Sequence, residues 1–410
     1  MGKYNLKVSA KDGQLCFAVD GRLDPISAKE FGDIVTAERK KRPNGSIVFD
    51  CKGLEYISSA GLRVFLSLRK KEKEPVKLIN VSSAVFEILE VTGFSQLLDV
   101  VKGMRDFTNE NVQRMGSNGN ITVYRVGDDT IMKVYSGDVT IEDIERERSY
   151  AQAAFLSGVP TLISYDVVTY NGQYGMLYEL AKVSTVSSLL ELAPMKLDQY
   201  AAELGKLLKT IHTSEPEEGI LPRTVDIFND WAGKMTPWLH SPEISTLRRM
   251  IRSIPEAKTV VYGNFSPRSV FVQRNEFMLI NMGGISCGNP IFDLGTTYMN
   301  LMNEHEAFVE SATGLTALQG KKCWRAIALQ YFGMDENVVK KYDEVIRAAA
   351  LLRSAIAPAV TNMSKEDAER FVADARRDLF PASDYLTTLL SEVRFDAQAQ
   401  APVKTPAAAS

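Results

Sequence analysis

Residues 259–294, TVVYGNFSPRSVFVQRNEFMLINMGGISCGNPIFDL, decide how the rest of the chain is read. Residues 260–262 are a short apolar run that stops at Gly263-Asn264, a turn signal. A polar loop containing Pro267 follows. Two β-like runs, 269–272 and 277–280, are then separated by Arg274-Asn275-Glu276, the pattern of a hairpin. The polar side chains spaced through this segment include Asn264, Ser269 and Asn281. An amide offers one neutral carbonyl oxygen. It cannot act as a base near pH 7, and it brings no charge to a cation.

The segment resembles the active-site stretch of the aminoglycoside phosphotransferase-like kinases. That stretch reads His-Gly-Asp, four residues, Asn, then Ile-Asp-Met/Trp-Gly and Pro-x-x-Asp-Leu. Its scaffold positions are kept here as Gly263, Pro267, Gly283, Pro290 and Asp293. Its chemical positions are changed: Tyr262 stands at the His, Asn264 at the catalytic Asp, Ser269 at the metal-binding Asn and Asn281 at the metal-binding Asp. Phosphoryl transfer to an alcohol needs a carboxylate that accepts the hydroxyl proton, and magnesium held by hard anionic oxygens. General-base catalysis alone is worth roughly 100- to 10,000-fold. The resemblance therefore implies a pseudokinase, with no intact catalytic residue and no metal site. Asp293 holds the family's structural position under the loop.

A chain of 410 residues predicts two or three compact units. At 45% hydrophobic and 24% charged it reads as an ordinary globular sequence. A net charge of −3 gives no reason to expect nucleic acid or an anionic membrane as partner. The basic run Arg39-Lys40-Lys41-Arg42 closes an expected helix before Pro43, where it complements the helix dipole. No apolar run reaches the ~18–20 residues of a membrane span, and the start lacks a signal-peptide shape. The cysteines, Cys16, Cys51, Cys287 and Cys323, form no C-x-x-C, so a reducing cytoplasmic location is expected. His212, His240 and His305 are far apart and form no zinc pattern.

Strands alternate with helices over the first hundred residues: β-like runs at 4–9 and 15–19 around Lys11-Asp12-Gly13, an amphipathic segment at 26–41, then an apolar strand at 46–49 ending at Asp50. A link and residues 54–57 lead to Ser58-Ser59-Ala60-Gly61-Leu62 and a helix to about Lys71. A strand (76–81), a helix (84–91) and a short strand (97–101) complete an α/β layer with a mixed sheet. FDCKGLEYISSAGLRVFLSL, at 49–68, resembles the STAS domain of bacterial anti-anti-sigma factors, over essentially all of 3–104. That resemblance implies a phosphorylatable serine just before the Gly-Leu helix start, at Ser59, with Ser58 as second choice. It also implies an anti-sigma factor or related switch kinase as partner. A serine here caps a helix, and a phosphate is tolerated because the N–H groups favour an anion. Ser58 and Ser59 acting only as caps is the other reading.

Residues 104–115 are polar without a period and read as a connection, with 107–115 as linker between a STAS domain at 1–106 and a body at 116–396. Gly116 and Gly119 lie between strand-like runs, where backbone N–H groups can approach phosphates. Residues 130–135 are a strand with Lys133 at its middle, and a helix at 141–157 carries Glu147. This resembles the small lobe of the same kinase-like family, in which the strand lysine contacts nucleotide phosphates and pairs with the helix glutamate. A solvated lysine on an edge strand and a surface glutamate is the alternative. Strands at 161–168 and 173–179 join through Asn171-Gly172. Tyr178-Glu179-Leu180 falls at the family's adenine hinge. A small lobe at about 116–180 precedes a mostly helical large lobe at about 181–396, with helices expected at 197–212, 225–239, 243–253, 294–303, 321–331, 336–356, 365–379 and 382–393. Trp231, Trp238 and Trp324 fall within them as core or interface anchors, and His212 as a packing and hydrogen-bonding residue. Residues 397–410, Ala/Pro-rich, are expected to be disordered.

The functional expectation is a phosphorylation-controlled STAS module coupled to a pseudokinase that serves as scaffold or nucleotide sensor. No cofactor is required, and ATP bound without turnover is compatible with Lys133, Glu147 and the hinge. The alternative is an ATP-dependent small-molecule phosphotransferase of the aminoglycoside/choline kinase type with a STAS regulatory domain.

Overall fold

The structure is a computed structural model that describes residues 4–11, 14–72, 75–118, 120–179, 184–361 and 363–395. The expected turn at Asp12-Gly13, the second loop glycine Gly119, Leu180 and the tail at 397–410 lie outside those residues. Two compact units are formed, Met1–Glu110 with Val167–Gln173, and Asn111–Asp166 with Tyr174–Ser410.

In the first unit, β1 (Asn5–Lys11) is antiparallel to β2 (Gln14–Leu23). After α1 (Ser27–Lys41) come β3 (Ile47–Ile57), α2 (Ser59–Lys71), β4 (Lys77–Val81), α3 (Ser83–Val91), β5 (Asp99–Lys102) and β6 (Arg105–Asp106). The sheet runs β1-β2-β3-β4-β5, with every pair after the first parallel. Helical crossovers are what parallel neighbours require. Phe17, Phe31, Phe49 and Phe65 are fully buried at the centre of this core. The Phe17 and Phe49 rings stack at 5.0 Å, and Phe65 meets Phe49 edge-on at 4.9 Å. The strand expected to end at Asp50 continues to Ile57. Its pairing with β2 shifts register twice, each time with an extra residue on β3, and Gly53 leaves room for the Asp20 carboxylate, whose Oδ1 lies 1.9 Å from where a Cβ would be.

The connection expected at 107–115 is partly strand, because β7 (Val112–Asn118) begins inside it. The second unit then adds β8 (Ile121–Val126), β9 (Thr130–Tyr135) and α4 (Ile141–Leu156), whose Thr140 and Asp143 form a capping box. β10 (Asp166–Tyr170) is shorter than the expected 161–168, and its Val168 and Thr169 run parallel to Arg105 and Asp106 of β6. Thr161 forms an isolated bridge to Leu279, whose carbonyl also accepts from its hydroxyl at 2.9 Å. β11 (Gln173–Glu179) returns beside β9, which gives the antiparallel order β11-β9-β8-β7.

The larger lobe holds β12 (Ser184–Thr185), α5 (Val186–Leu192), α6 (Leu197–Thr213), α7 (Thr224–Gly233), α8 (Ser241–Ser253), β13 (Thr259–Val261), β14 (Val270–Gln273), β15 (Glu276–Leu279) and β16 (Ser286–Gly288). Then follow α9 (Ile291–Met302), α10 (Glu306–Thr313), α11 (Ala317–Tyr331), α12 (Glu336–Ile356), α13 (Lys365–Asp374) and α14 (Ser383–Ser391). Two expected helices are shorter than the sequence suggests. One stops at Gly233, so Trp238 lies in the turns beyond it, and the other gives way at Asp374 to a π-helical turn, Ala375–Leu379. Trp324 is buried edge-on to Tyr298, while Trp231 and Trp238 pack partly buried on the same core. Among the described residues no helix is long and apolar enough to cross a membrane.

Candidate functional site

β9 sits between β8 and β11, so Lys133 faces Val123 on one side and Met176 on the other and is not on an edge. The strand's period of two puts Lys133 and Tyr135 on one face. Lys133 is 2% exposed, and its Nζ donates to Glu147 Oε1 at 2.5 Å and to Asn281 Oδ1 at 2.9 Å. Glu147, buried on α4, also accepts from the Tyr135 hydroxyl at 2.8 Å and from the Met282 N–H at 3.3 Å. Burial pushes the Lys133 pKa down, opposed by the Glu147 charge. The Tyr135 hydroxyl is pushed up, first by burial and then by the same carboxylate.

Below this pair, Asp293 fixes the loop that follows β13. Its carboxylate is fully buried and accepts from the Tyr262 N–H at 2.6 Å and the Gly263 N–H at 2.7 Å. His212 Nε2 stands 3.1 Å from Asp293 Oδ2, and His212 Nδ1 is 2.8 Å from the Tyr331 hydroxyl. With the carboxylate as acceptor, Nε2 carries a proton, and Nδ1 shares its bond with the Tyr331 hydroxyl. Gly263 has φ +91°, and a Cβ there would lie 2.8 Å from the Gly284 carbonyl oxygen, so the two loops meet where only glycine fits. Tyr262 is buried, which raises its pKa, while a hydrogen bond with Ser269 pulls the other way.

The remaining loop positions are tied to neighbours. Asn264, exposed, accepts through Oδ1 from Asn300 Nδ2 at 3.3 Å. Ser269 Oγ donates to the Ser266 carbonyl at 2.9 Å and accepts from the Ser266 N–H at 3.0 Å. Asn281, exposed, uses its Oδ1 on Lys133. Magnesium keeps carboxylate and other oxygen ligands in octahedral geometry. The oxygens at these positions are neutral and already engaged, and among the described residues no three His, Cys, Asp or Glu gather to hold a metal. The residues present do not fit a magnesium site.

The structure thus brings together Lys133, Glu147, Asn281, Tyr262, Ser269 and Asp293. Gly116 lies inside β7 opposite Val123, in register with Lys133 two strands away, with open space at its Cβ position, and not at a loop between strands. Glu179 is exposed at the end of β11, opposite Thr130. Tyr135, Asn300 and Tyr331 were not singled out from the sequence. Only Tyr135 carried a signal, two places along a strand from Lys133.

In the first unit, the two serines divide their work. Ser58 is the N-cap of α2, buried, with φ −86° and ψ 169°, and its Oγ accepts from the Gly61 N–H at 3.3 Å. Ser59 is the first helical residue and exposed, so it is not the cap.

A lysine–glutamate pair beneath an antiparallel sheet, and a carboxylate bolting the loop that leads to a hairpin, define a kinase-like phosphotransferase fold. The model of the phosphotransferase enzyme family matches residues 112–328, more than half of the 410, and that of the STAS domain matches residues 5–107. The chain belongs to the phosphotransferase enzyme family and carries a STAS domain ahead of that fold. Comparison with curated proteins finds no match. Similar solved structures include a choline/ethanolamine kinase family protein from Mesorhizobium loti, at 13% identity and TM-score 0.43, covering 69% of this chain and 93% of that one. An ethanolamine kinase from Plasmodium vivax gives 12% and 0.44, covering 78% and 93%. An amicoumacin kinase in complex with AMP-PNP and Ca2+ gives 12% and 0.44, covering 76% and 96%.

Proposed function

We propose that the protein is a cytoplasmic regulatory signalling protein. Its STAS module, an anti-sigma factor antagonist-like adaptor switched by phosphorylation of Ser59, is coupled to a pseudokinase that acts as scaffold or nucleotide sensor. The observation that carries this reading is the state of the loop oxygens. Asn264, Ser269 and Asn281 supply no carboxylate, and each is engaged by a neighbour. Proton abstraction from an alcohol has no base here, because Asp293 is enclosed beneath the loop and bound on both oxygens. The test is ATP hydrolysis and phosphoryl transfer by the full chain with magnesium. No turnover above background is expected. Magnesium-dependent turnover abolished by Lys133→Met would sink the pseudokinase reading in favour of a small-molecule phosphotransferase.

The exposed Ser59 hydroxyl at the start of α2 supports the switch. A phosphate there adds about −1.5 to −2 charges at the helix end that favours anions. The partner chemistry this suits is an anti-sigma factor or related switch kinase, which docks on one charge state only. Ser59→Asp is expected to lose the partner bound by the wild type while keeping its fold. Phosphate mapped by mass spectrometry only to Ser58, or partner binding unchanged in Ser59→Asp, would remove the assignment.

A further inference from the structure

In the first unit, the C-terminal ends of α1 and α2 close on a cavity of about 550 Å3, completed by the loop 43–46 and Pro75. Arg39 builds its wall. Its Nε and Nη2 donate to the two carboxylate oxygens of Glu72 at 2.9 and 2.5 Å. Its Nη1 donates to the Arg42 and Gly45 carbonyls at 3.1 and 2.9 Å. One rigid guanidinium thus ties both helix ends to the loop, with its charge matched by Glu72. Arg69 Nη1 covers the Glu72 carbonyl at 3.2 Å. Carbonyls at two helix C-termini would otherwise repel an anion, and those of Arg42, Gly45 and Glu72 are capped by arginine.

The charge left facing the space is positive. Lys40 and Lys71, exposed and from different helices, both line it, and neither forms an ion pair among the described residues. Ser46 Oγ, also in the lining, accepts from Gln14 Nε2 at 3.2 Å and keeps its own proton to donate. The exposed rings of Pro43 and Pro75 add apolar wall. Small-molecule sites span roughly 300–1,000 Å3, so the space suits an organic ligand better than a bare ion. We propose that this cavity binds a small phosphate monoester, its dianion held between Lys40 and Lys71 and its organic body laid against Pro43 and Pro75. Lysine serves such a group as a point charge that needs no fixed fork. Ser59 and Lys71 are the first and last residues of α2. At 1.5 Å per residue they stand roughly 18 Å apart, so the site is separate from the serine switch. The inference needs neither that switch nor any reading of the kinase-like lobe.

The test is isothermal titration of the full chain with phenyl phosphate at low ionic strength and near-neutral pH. Inorganic phosphate and benzyl alcohol serve as the two halves of the ligand. Phenyl phosphate is expected to bind more tightly than either, and less tightly as salt is added. Lys40→Gln and Lys71→Gln should each weaken it about fivefold, the upper worth of an exposed charge pair. The double variant should lose about the product of the two. Lys29→Gln removes the same charge from the other end of α1, outside the cavity, and should leave the affinity unchanged. Circular dichroism checks that every variant folds. No binding of phenyl phosphate, equal binding of inorganic phosphate or benzyl alcohol, or an affinity unchanged in both cavity-lysine variants overturns the proposal. An equal loss in Lys29→Gln overturns it too, since the effect would then belong to the overall charge of the unit.

Discussion

The two regions that matter handle their hydroxyls and amides in opposite ways. At the start of α2, the buried Ser58 satisfies the helix end, which leaves the adjacent Ser59 exposed and uncommitted to the cap. In the kinase-like lobe, the oxygens of Asn264, Ser269 and Asn281 are all engaged by neighbours. One region leaves a serine hydroxyl exposed beside its cap. The other has its reactive positions absorbed into its own hydrogen bonding. A loop can therefore keep its backbone shape while the side chains at its polar positions change.

The contrast can be broken at several points. The largest effect is expected from Asp293→Ala, which orphans the Tyr262 and Gly263 N–H groups and His212 inside the protein. A loss of about 3–5 kcal/mol is expected from removing such a buried charged partner, read as a lower urea midpoint of the second unit. Lys133→Met comes next. It leaves Glu147 charged and buried, and should cost about 3 kcal/mol, whereas adding Glu147→Leu should recover most of it. If the double variant is no better than the single one, the pair is not the unit described here.

The smaller effects sharpen the comparison of the serines. Ser58→Ala should lower stability by ~1 kcal/mol, the usual worth of an N-cap, and Ser59→Ala by a few tenths at most, by thermal melting of the full chain. Equal losses would mean that both serines cap and neither is free. Arg353 offers a smaller change of opposite sign. It is 5% exposed, its Nε and Nη1 have no partner, and it lies 5.3 Å from the Trp231 ring, with burial pushing its pKa down to about 10. Arg353→Met should be neutral or stabilising by about 1 kcal/mol. A destabilised variant would show that the guanidinium has a ligand.

The fold was legible because its scaffold is made of residues with few substitutes. Gly263 needs a positive φ and Asp293 must reach two N–H groups, so the sequence pattern carries the loop's geometry whatever its chemistry. The pairing of Lys133 with Glu147 was readable from spacing on a strand and a helix. Their burial was not, because it depends on β11 lying across β9. Asn300 and Tyr331 are reached only through tertiary packing, from 36 and 119 residues away along the chain respectively. The extension of β3 to Ile57 runs through two bulges in β3 itself, which no local pattern records. The division between Ser58 and Ser59 is a matter of one residue in the helix start, the least legible feature of any helix.

The placement of the tryptophans has a practical consequence. Trp231, Trp238 and Trp324 all belong to the second unit, while the first is built around phenylalanines. Indole emission during denaturation therefore follows the phosphotransferase-like unit alone, while far-ultraviolet dichroism sums both. Superposable traces would show that the STAS domain and its neighbour melt as one cooperative body, and displaced traces that each keeps its own transition.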